Sequence, residues 1–238
     1  MTERSPVAVA ERQPGGGALP GKAPGTTAQH ALEGLRRAIV GGEWRPGQRV
    51  GQEDIAERLG VSLAPVREAL AVLEQEGQVT YIPRRGYFVT ELRIEDLKEI
   101  YALRELLESR AAAQALPSID EDGLHRIELA DRDCVEAAEE GDVAAELEAN
   151  RRFHFALLES PEQTHTTRLI RLLWDSTEAY RAMYYNSPVA RAESVRAHER
   201  ILAAIRNGDG ERLIAELDAH RDRALQLLSD VLAPPPLP

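Results

Sequence analysis

Three histidines carry most of the chemistry this chain can offer. Each falls on the apolar stripe of a segment with helical period. His154 lines up with Leu147, Asn150 and Leu157, His198 with Val195, Ile201, Leu202 and Ile205, and His220 with Leu213, Leu217 and Leu227. An imidazole turned into a core needs hydrogen-bond partners there. Three that face one interior can instead gather a metal ion, and Asn150, one turn before His154, shares its helix face. Spacing alone leaves two readings open: a ligand set, or three unrelated core histidines each satisfied separately. His30 and His125 lie off such stripes and His165 opens a helix, so all three read as structural or surface residues.

Arg104 poses a similar question. It falls on the stripe Leu97, Ile100, Tyr101, Leu107 and Ala111 and so points inward. A buried guanidinium needs an anion. Glu108 or a carboxylate from another helix can supply it, and so can the carboxylate of a bound ligand.

A second group of residues has the spacing of a DNA reader. A short helix over 52–59, a tight turn at Gly60-Val61 and a helix opening at Ser62 have helix-turn-helix geometry. Ser62 and the first N–H groups of the third helix can meet phosphate. Arg67 lies one turn in, where a planar guanidinium can pair with a guanine edge or clamp a phosphate. The segment Pro83-Arg84-Arg85-Gly86 sits at a hairpin tip, with Gly86 permitting close backbone approach, as a wing beside the minor groove requires. The plainer reading is that Arg67 is a solvated helix residue and Arg84-Arg85 an ordinary turn.

The elements that must position these groups follow from periodicity and breaks. Thr27 to Gly41 reads as a helix with Leu32, Leu35 and Ile39 on one face, followed by a Pro46-Gly47 turn. Ser62 is placed to cap the third helix, which carries Pro65 in its first turn and Gly77 just past its end. Two short strands, QVTYI and YFVTEL, then flank the PRRG tip. The remainder reads as six helices at about 94–116, 120–140, 143–159, 164–186, 190–206 and 210–231, joined by short breaks that suit antiparallel neighbours in a bundle. The expected fold is therefore mainly α: a winged helix-turn-helix over 27–92 with a β-hairpin wing, then an all-α six-helix bundle over 93–231. Residues 1–26 and 232–238, rich in Pro and Gly or Pro alone, read as disordered tails.

Charge is divided between these parts. Residues 1–92 hold 11 Lys and Arg against 11 Asp and Glu, whereas residues 93–238 hold 18 against 29, so the whole net charge of −11 lies in the second part. The neutral front is compatible with DNA, and the acidic back would be repelled by phosphate. No apolar run approaches the ~18 residues of a membrane span, and the N-terminus lacks a secretion signal, so a cytoplasmic location and no membrane partner are expected. The single cysteine, Cys134, can form no internal disulfide and reads as a small core residue.

The run from Ile39 to Val89 closely resembles the DNA-binding domain of the GntR family of transcription regulators. The Pro46-Gly47 turn, IAERLGVS, PVREAL and RRGYFV carry the likeness. It implies that Arg67 contacts DNA, with Arg58, Ser62 and the Gly86 wing tip near it; Ala64 beside Ser62 and Arg84 and Arg85 at the hairpin tip complete the expected DNA-binding set. One departure is Leu63, where many members have arginine. One recognition helix per chain is a small footprint, and the family is dimeric, so a homodimer on a short inverted repeat of double-stranded DNA is expected.

The resemblance extends through YALRELLESRAA, NRRFHFALLES, AHERILAAIRNGD and His220 to the FCD effector domain of the FadR-type branch. It implies a divalent transition metal, Zn or Ni foremost because imidazole prefers these to Mg or Ca, held by Asn150, His154, His198 and His220. Asn150 stands where the usual residue is Asp, a neutral donor in place of a charged one. It also implies a small carboxylate effector beside the metal, near Arg104, with Tyr101 on the same stripe, and a regulator of the repressor type. Against this stands a metal-dependent hydrolase built on three histidines with an open position. No carboxylate is paired with the histidines by motif as a general base, and the linked DNA reader favours sensing over turnover. A purely structural metal is the third reading.

Overall fold

The computed structural model describes residues 27–185 and 187–232. The tail expected over 1–26 lies outside them, as does most of that over 232–238; Leu232 belongs to the last helix.

The front domain runs α1 (Thr27–Val40), β1 (Arg49–Val50), α2 (Gln52–Leu59), α3 (Leu63–Gln75), β2 (Val79–Ile82) and β3 (Gly86–Val89). The sheet has three antiparallel strands in the order β1-β3-β2, one more than the expected hairpin. The extra strand follows from the Pro46-Gly47 turn. Gly47, at φ +80°, brings the chain back beside β3, where Gly47 N–H bonds Val89 O at 2.9 Å and Val89 N–H bonds Gln48 O at 2.9 Å. Two glycines shape the helix ends. Gly60, at φ 63°, closes α2, and Gly77, at φ +75°, lets Gln78 N–H return to Leu73 O at 2.9 Å. Ala31, Leu35, Ile39, Val66, Leu70, Leu73, Val79 and Val89 form the core; Leu32 sits at its margin, since Ala31 takes the inward position.

Among the described residues the helical domain has seven α-helices, not six: α4 (Ile94–Ala115), α5 (Glu121–Glu140), α6 (Val143–Leu158), α7 (Thr164–Ser176), α8 (Glu178–Tyr185), α9 (Pro188–Arg206) and α10 (Gly210–Leu232). The expected helix 164–186 is broken at Thr177. That residue is fully buried, with φ −109° and ψ 4°, and its hydroxyl donates to the carbonyls of Trp174 at 3.1 Å and Leu173 at 3.3 Å. A hydroxyl bonded back to the preceding turn competes with the helix ladder, and the chain turns there. Four helix starts carry side-chain caps: at α5 Asp120 accepts from Gly123 N–H, at α6 Asp142 from Ala145, at α9 Ser187 from Ala190 and at α10 Asp209 from Arg212.

The core of this domain gathers Ile127, Phe153, Leu157, Ile170, Trp174, Ile201, Leu213 and Leu217 from five helices. Cys134 is buried in α5, and burial pushes its thiol far up, so it packs as a small apolar residue. The two domains touch through α8. Ala179 packs on the front core, and the Tyr180 hydroxyl accepts the Leu92 N–H of the linker.

Leu70 joins α3 to the whole front core with no exposed surface. Leu70→Ala should cost about 2–5 kcal/mol of stability, read as a lower urea midpoint, because the packed surroundings cannot close the hole. A loss below about 1 kcal/mol would show that α3 is not seated as described.

Candidate metal centre and DNA-reading face

The residues expected to read DNA lie on the helix-turn-helix and the wing of the front domain. Ser62 precedes α3 in extended backbone and its hydroxyl makes no capping bond, contrary to the expected cap, so the oxygen is free toward solvent. Ala64 and Arg67 are exposed on the first two turns, and Arg67 Nε donates to Gln52 Oε1 of α2 at 3.1 Å. Arg58 is tied to Glu43 at 2.6 Å and Asp54 at 3.7 Å, so a phosphate would have to compete with two carboxylates.

At the wing tip Pro83 and Arg84 form the turn. Arg84 is the one non-glycine at positive φ, 65°, among the described residues, and Arg85 N–H bonds Ile82 O at 3.0 Å. Arg49 of β1 donates Nε to Arg85 O at 2.9 Å and lies beside Gly86. Arg49 thus adds a third guanidinium to the tip, one that only the unforeseen strand β1 reveals.

In the second domain, α6, α9 and α10 bring His154, His198 and His220 together. One ring nitrogen from each lies within 4.8 Å of the others. Their ring centroids stand 5.2–5.3 Å apart. His154 and His198 are buried, and His220 is half-buried. Burial pushes all three below the ordinary value of 6.5, His154 and His220 well below, with the neighbouring imidazoles adding to the effect on both. Two buried imidazoles and one half-buried one, all favoured in the neutral form, thus bring a ring nitrogen each to one small region.

The surroundings of His198 bear on the fit of a cation. Its Nδ1 faces Asp131 Oδ1 of α5 at 3.4 Å, and its Nε2 meets Asn150 Oδ1 at 3.1 Å. A proton on Nδ1, turned to the carboxylate, leaves a lone pair on Nε2 facing an amide oxygen. A cation between those two acceptors resolves the clash, as does a turn of the amide. His154 Nδ1 is also buried without a hydrogen bond. Orphan nitrogens, three convergent imidazoles and an oxygen donor fit a transition metal. Asp131 then has the place of the carboxylate that orients a ligating histidine from behind.

Arg104 and Tyr101 line a cavity against this cluster, with Asn150, His154, His220, Trp174, Arg181 and Arg221. Its free room is about 20 Å³, the space of one water. Arg104 points inward as expected, but it already has an anion: its Nε donates to Glu108 Oε1 at 2.8 Å. Sequence reasoning missed Asp131, Trp174, Arg181 and Arg221. His30, His125 and His165 are exposed, away from the cluster.

Comparison with known proteins agrees with both halves. The family model "Bacterial regulatory proteins, gntR family" matches residues 27–89, and the model "FCD domain" matches residues 99–223. The chain is 29% identical to the HTH-type transcriptional regulator YdhC of Bacillus subtilis over 83% of its own length and 89% of that protein's. It is 30% identical to the regulator BphR of Paraburkholderia xenovorans, covering 82% of each chain. A solved putative GntR regulator from Rhodococcus sp. RHA1 superposes with a TM-score of 0.73 at 25% identity, over 85% of this chain and 97% of that one. E. coli McbR/YncC shares the fold, with a TM-score of 0.77 at 24% identity over 87% and 99% of the two chains. These are regulators, not enzymes. No helix among the described residues is long and apolar enough to cross a membrane.

The histidine cluster should make the metal-free protein acid-sensitive. The three rings stay neutral in the fold but titrate near 6.5 once unfolded, so below that pH the unfolded chain binds more protons and stability falls. Each histidine contributes up to about 1.4 kcal/mol per pH unit in this window. Urea midpoints in chelator at pH 7.5, 6.5 and 5.5 should show this slope, shallower in His154→Gln and unchanged in His165→Gln. Equal slopes in all three proteins would mean the cluster is not buried as described.

Proposed function

The chain belongs to the gntR family of bacterial regulatory proteins and is a DNA-binding transcriptional regulator; from that premise we propose that it is a repressor, released when a small carboxylate metabolite binds beside a transition metal in its helical domain. The observation that carries the reading is the convergence of three histidine nitrogens within 4.8 Å beside an arginine-lined cavity, in a chain that also carries a winged helix.

His154, His198 and His220 would hold the ion, with Asn150 as the fourth contact and Zn or Ni as the metal. The ion, when bound, supplies a dipositive centre that draws an anion into the cavity. Neutral ligands leave most of that charge uncompensated. Asp131, 3.4 Å from His198 Nδ1, would favour a proton there and so leave the Nε2 lone pair to the ion. Arg104 holds Glu108 and lays its guanidinium over the Tyr101 and Trp174 rings, at 4.8 and 4.5 Å, forming a wall against which a carboxylate can rest.

On DNA, Arg67 is the base- or phosphate-reading residue, with Ser62, Ala64 and Arg58 around it and Arg84, Arg85 and Gly86 at the wing. A homodimer would present two such faces to an inverted repeat. Exposed leucines on the neighbouring helices α4 (Leu103, Leu106) and α7 (Leu169, Leu172) support a second copy as their cover. A bound effector would favour an arrangement of the helical domains that separates the recognition helices.

Two measurements test this. Elemental analysis of untagged protein offered Zn or Ni should find about one ion per chain, lost in His198→Ala, and Asn150→Asp should tighten it; protein that stays metal-free rejects the site. Arg67→Ala should weaken binding to DNA selected from a random-sequence pool by about 1–3 kcal/mol, with helicity intact. Unchanged affinity would remove Arg67 from the DNA contact.

A further inference from the structure

Three buried arginines line the cavity beside the histidines, and they are not equivalent. Two are committed to one carboxylate. Glu108 Oε1 accepts from Arg104 Nε at 2.8 Å and from Trp174 Nε1 at 2.6 Å, while Oε2 accepts from Arg221 Nη1 at 2.8 Å. Burial alone would raise the Glu108 carboxyl, but the two guanidiniums hold it below its ordinary range. Arg221 also reaches Asp218 and, at 3.1 Å, Ser109.

Arg181 has no comparable partner. It is only 5% exposed, and its Nη1 is buried without a hydrogen bond. Its carboxylate neighbour, Glu178, stands 3.6 Å away and is shared with Arg151 at the same 3.6 Å. The guanidinium lies over the Trp174 ring, 4.2 Å from its centre, at the cavity wall. A charge taken out of water with so loose a counter-ion is the group most readily completed by an incoming anion.

Its position on α8 adds a consequence. In three successive residues, Ala179 packs on the front-domain core, the Tyr180 hydroxyl accepts the Leu92 N–H of the interdomain linker, and Arg181 faces the cavity. Any ligand larger than a water must displace part of the lining. The side chain with the weakest hold is the one that yields most easily, and it sits next to the residue that grips the linker.

We propose that Arg181, rather than Arg104, grips the carboxylate of the effector, and that α8 passes occupancy of the cavity to the DNA-reading domain through Tyr180. This rests on the carboxylate-sensing reading above. Arg181 is a ligand-contact residue in this scheme and Tyr180 a positioning residue.

The chain has two tryptophans, so Trp44→Phe leaves Trp174 as the sole tryptophan reporter of the cavity. In that zinc-loaded, full-length background, acetate, lactate, succinate and citrate are titrated as probes. At least one should change Trp174 emission saturably. Arg181→Gln should weaken that probe tenfold or more, and Arg181→Lys, which keeps charge and fold, less so; circular dichroism checks that both remain helical. Tyr180→Phe should bind the probe as the parent does, yet lose most of the probe's effect on affinity for the selected DNA.

The outcomes separate the two readings. No response from any probe in the parent would overturn carboxylate sensing and this inference with it. A response in the parent that Arg181→Gln and Arg181→Lys retain in full would overturn the role of Arg181 alone and leave sensing intact. A full DNA response in Tyr180→Phe would remove the α8 route.

Discussion

Everything in the helical domain depends on keeping three imidazoles neutral and convergent in a place where water is excluded. Loss of hydration outweighs every other influence on His154, His198 and His220, and it favours the uncharged ring with its lone pair available. Such a cluster cannot be assembled from one helix. It forces α6, α9 and α10 to meet at one level, and α5 must follow because Asp131 stands behind His198. The apolar residues around them, Phe153 stacked on His198 at 4.0 Å and Trp174 beside His154 at 5.1 Å, keep water out and fix the ring planes.

The cluster constrains the cavity in turn. Cationic groups gather on the far wall, and only Glu108 neutralises more than one of them directly. Arg104 and Arg221 are thereby turned into structural groups: removing Glu108 would leave two buried charges without that partner, a far larger loss than any single hydrogen bond. An anion entering the cavity would need a group that is held less firmly. The break at Thr177 supplies the setting. It ends α7 after Trp174 and redirects α8, so that Arg181 can reach the cavity while Ala179 and Tyr180 reach the other domain.

Much of this was legible in the sequence, for physical reasons. Apolar periodicity locates helices, and Gly, Pro and Asp-Ser caps locate their ends, so the winged helix and most of the bundle follow from local pattern. The inward stripe also placed the three histidines and Arg104 on buried faces. What was not legible depends on contacts between distant segments. A two-residue strand such as β1 has no periodicity to detect. Thr177 breaks its helix with a hydroxyl and without glycine or proline, so 164–186 reads as one element and local pattern gives Arg181 no direction. Asp131 and Arg221 come from other helices at no fixed spacing from the groups they serve. The capping role expected of Ser62 failed because a cap requires a side-chain rotamer as well as a residue type.

The substitution at Asn150 shows how these levels interact. Asp at that position would place a charge directly against any ion the histidines held. Here the amide offers an oxygen without charge, and the nearest acid on this side of the cluster is Asp131, one residue further out and reached through the His198 ring. A carboxylate in that outer place raises the basicity of the imidazole it touches, but it neutralises the ion only at a distance. A metal held there would be bound more weakly and would keep more of its charge toward the cavity. The charge of such an ion would act on an anion together with Arg181, whereas the charge of Arg104 is already balanced by Glu108.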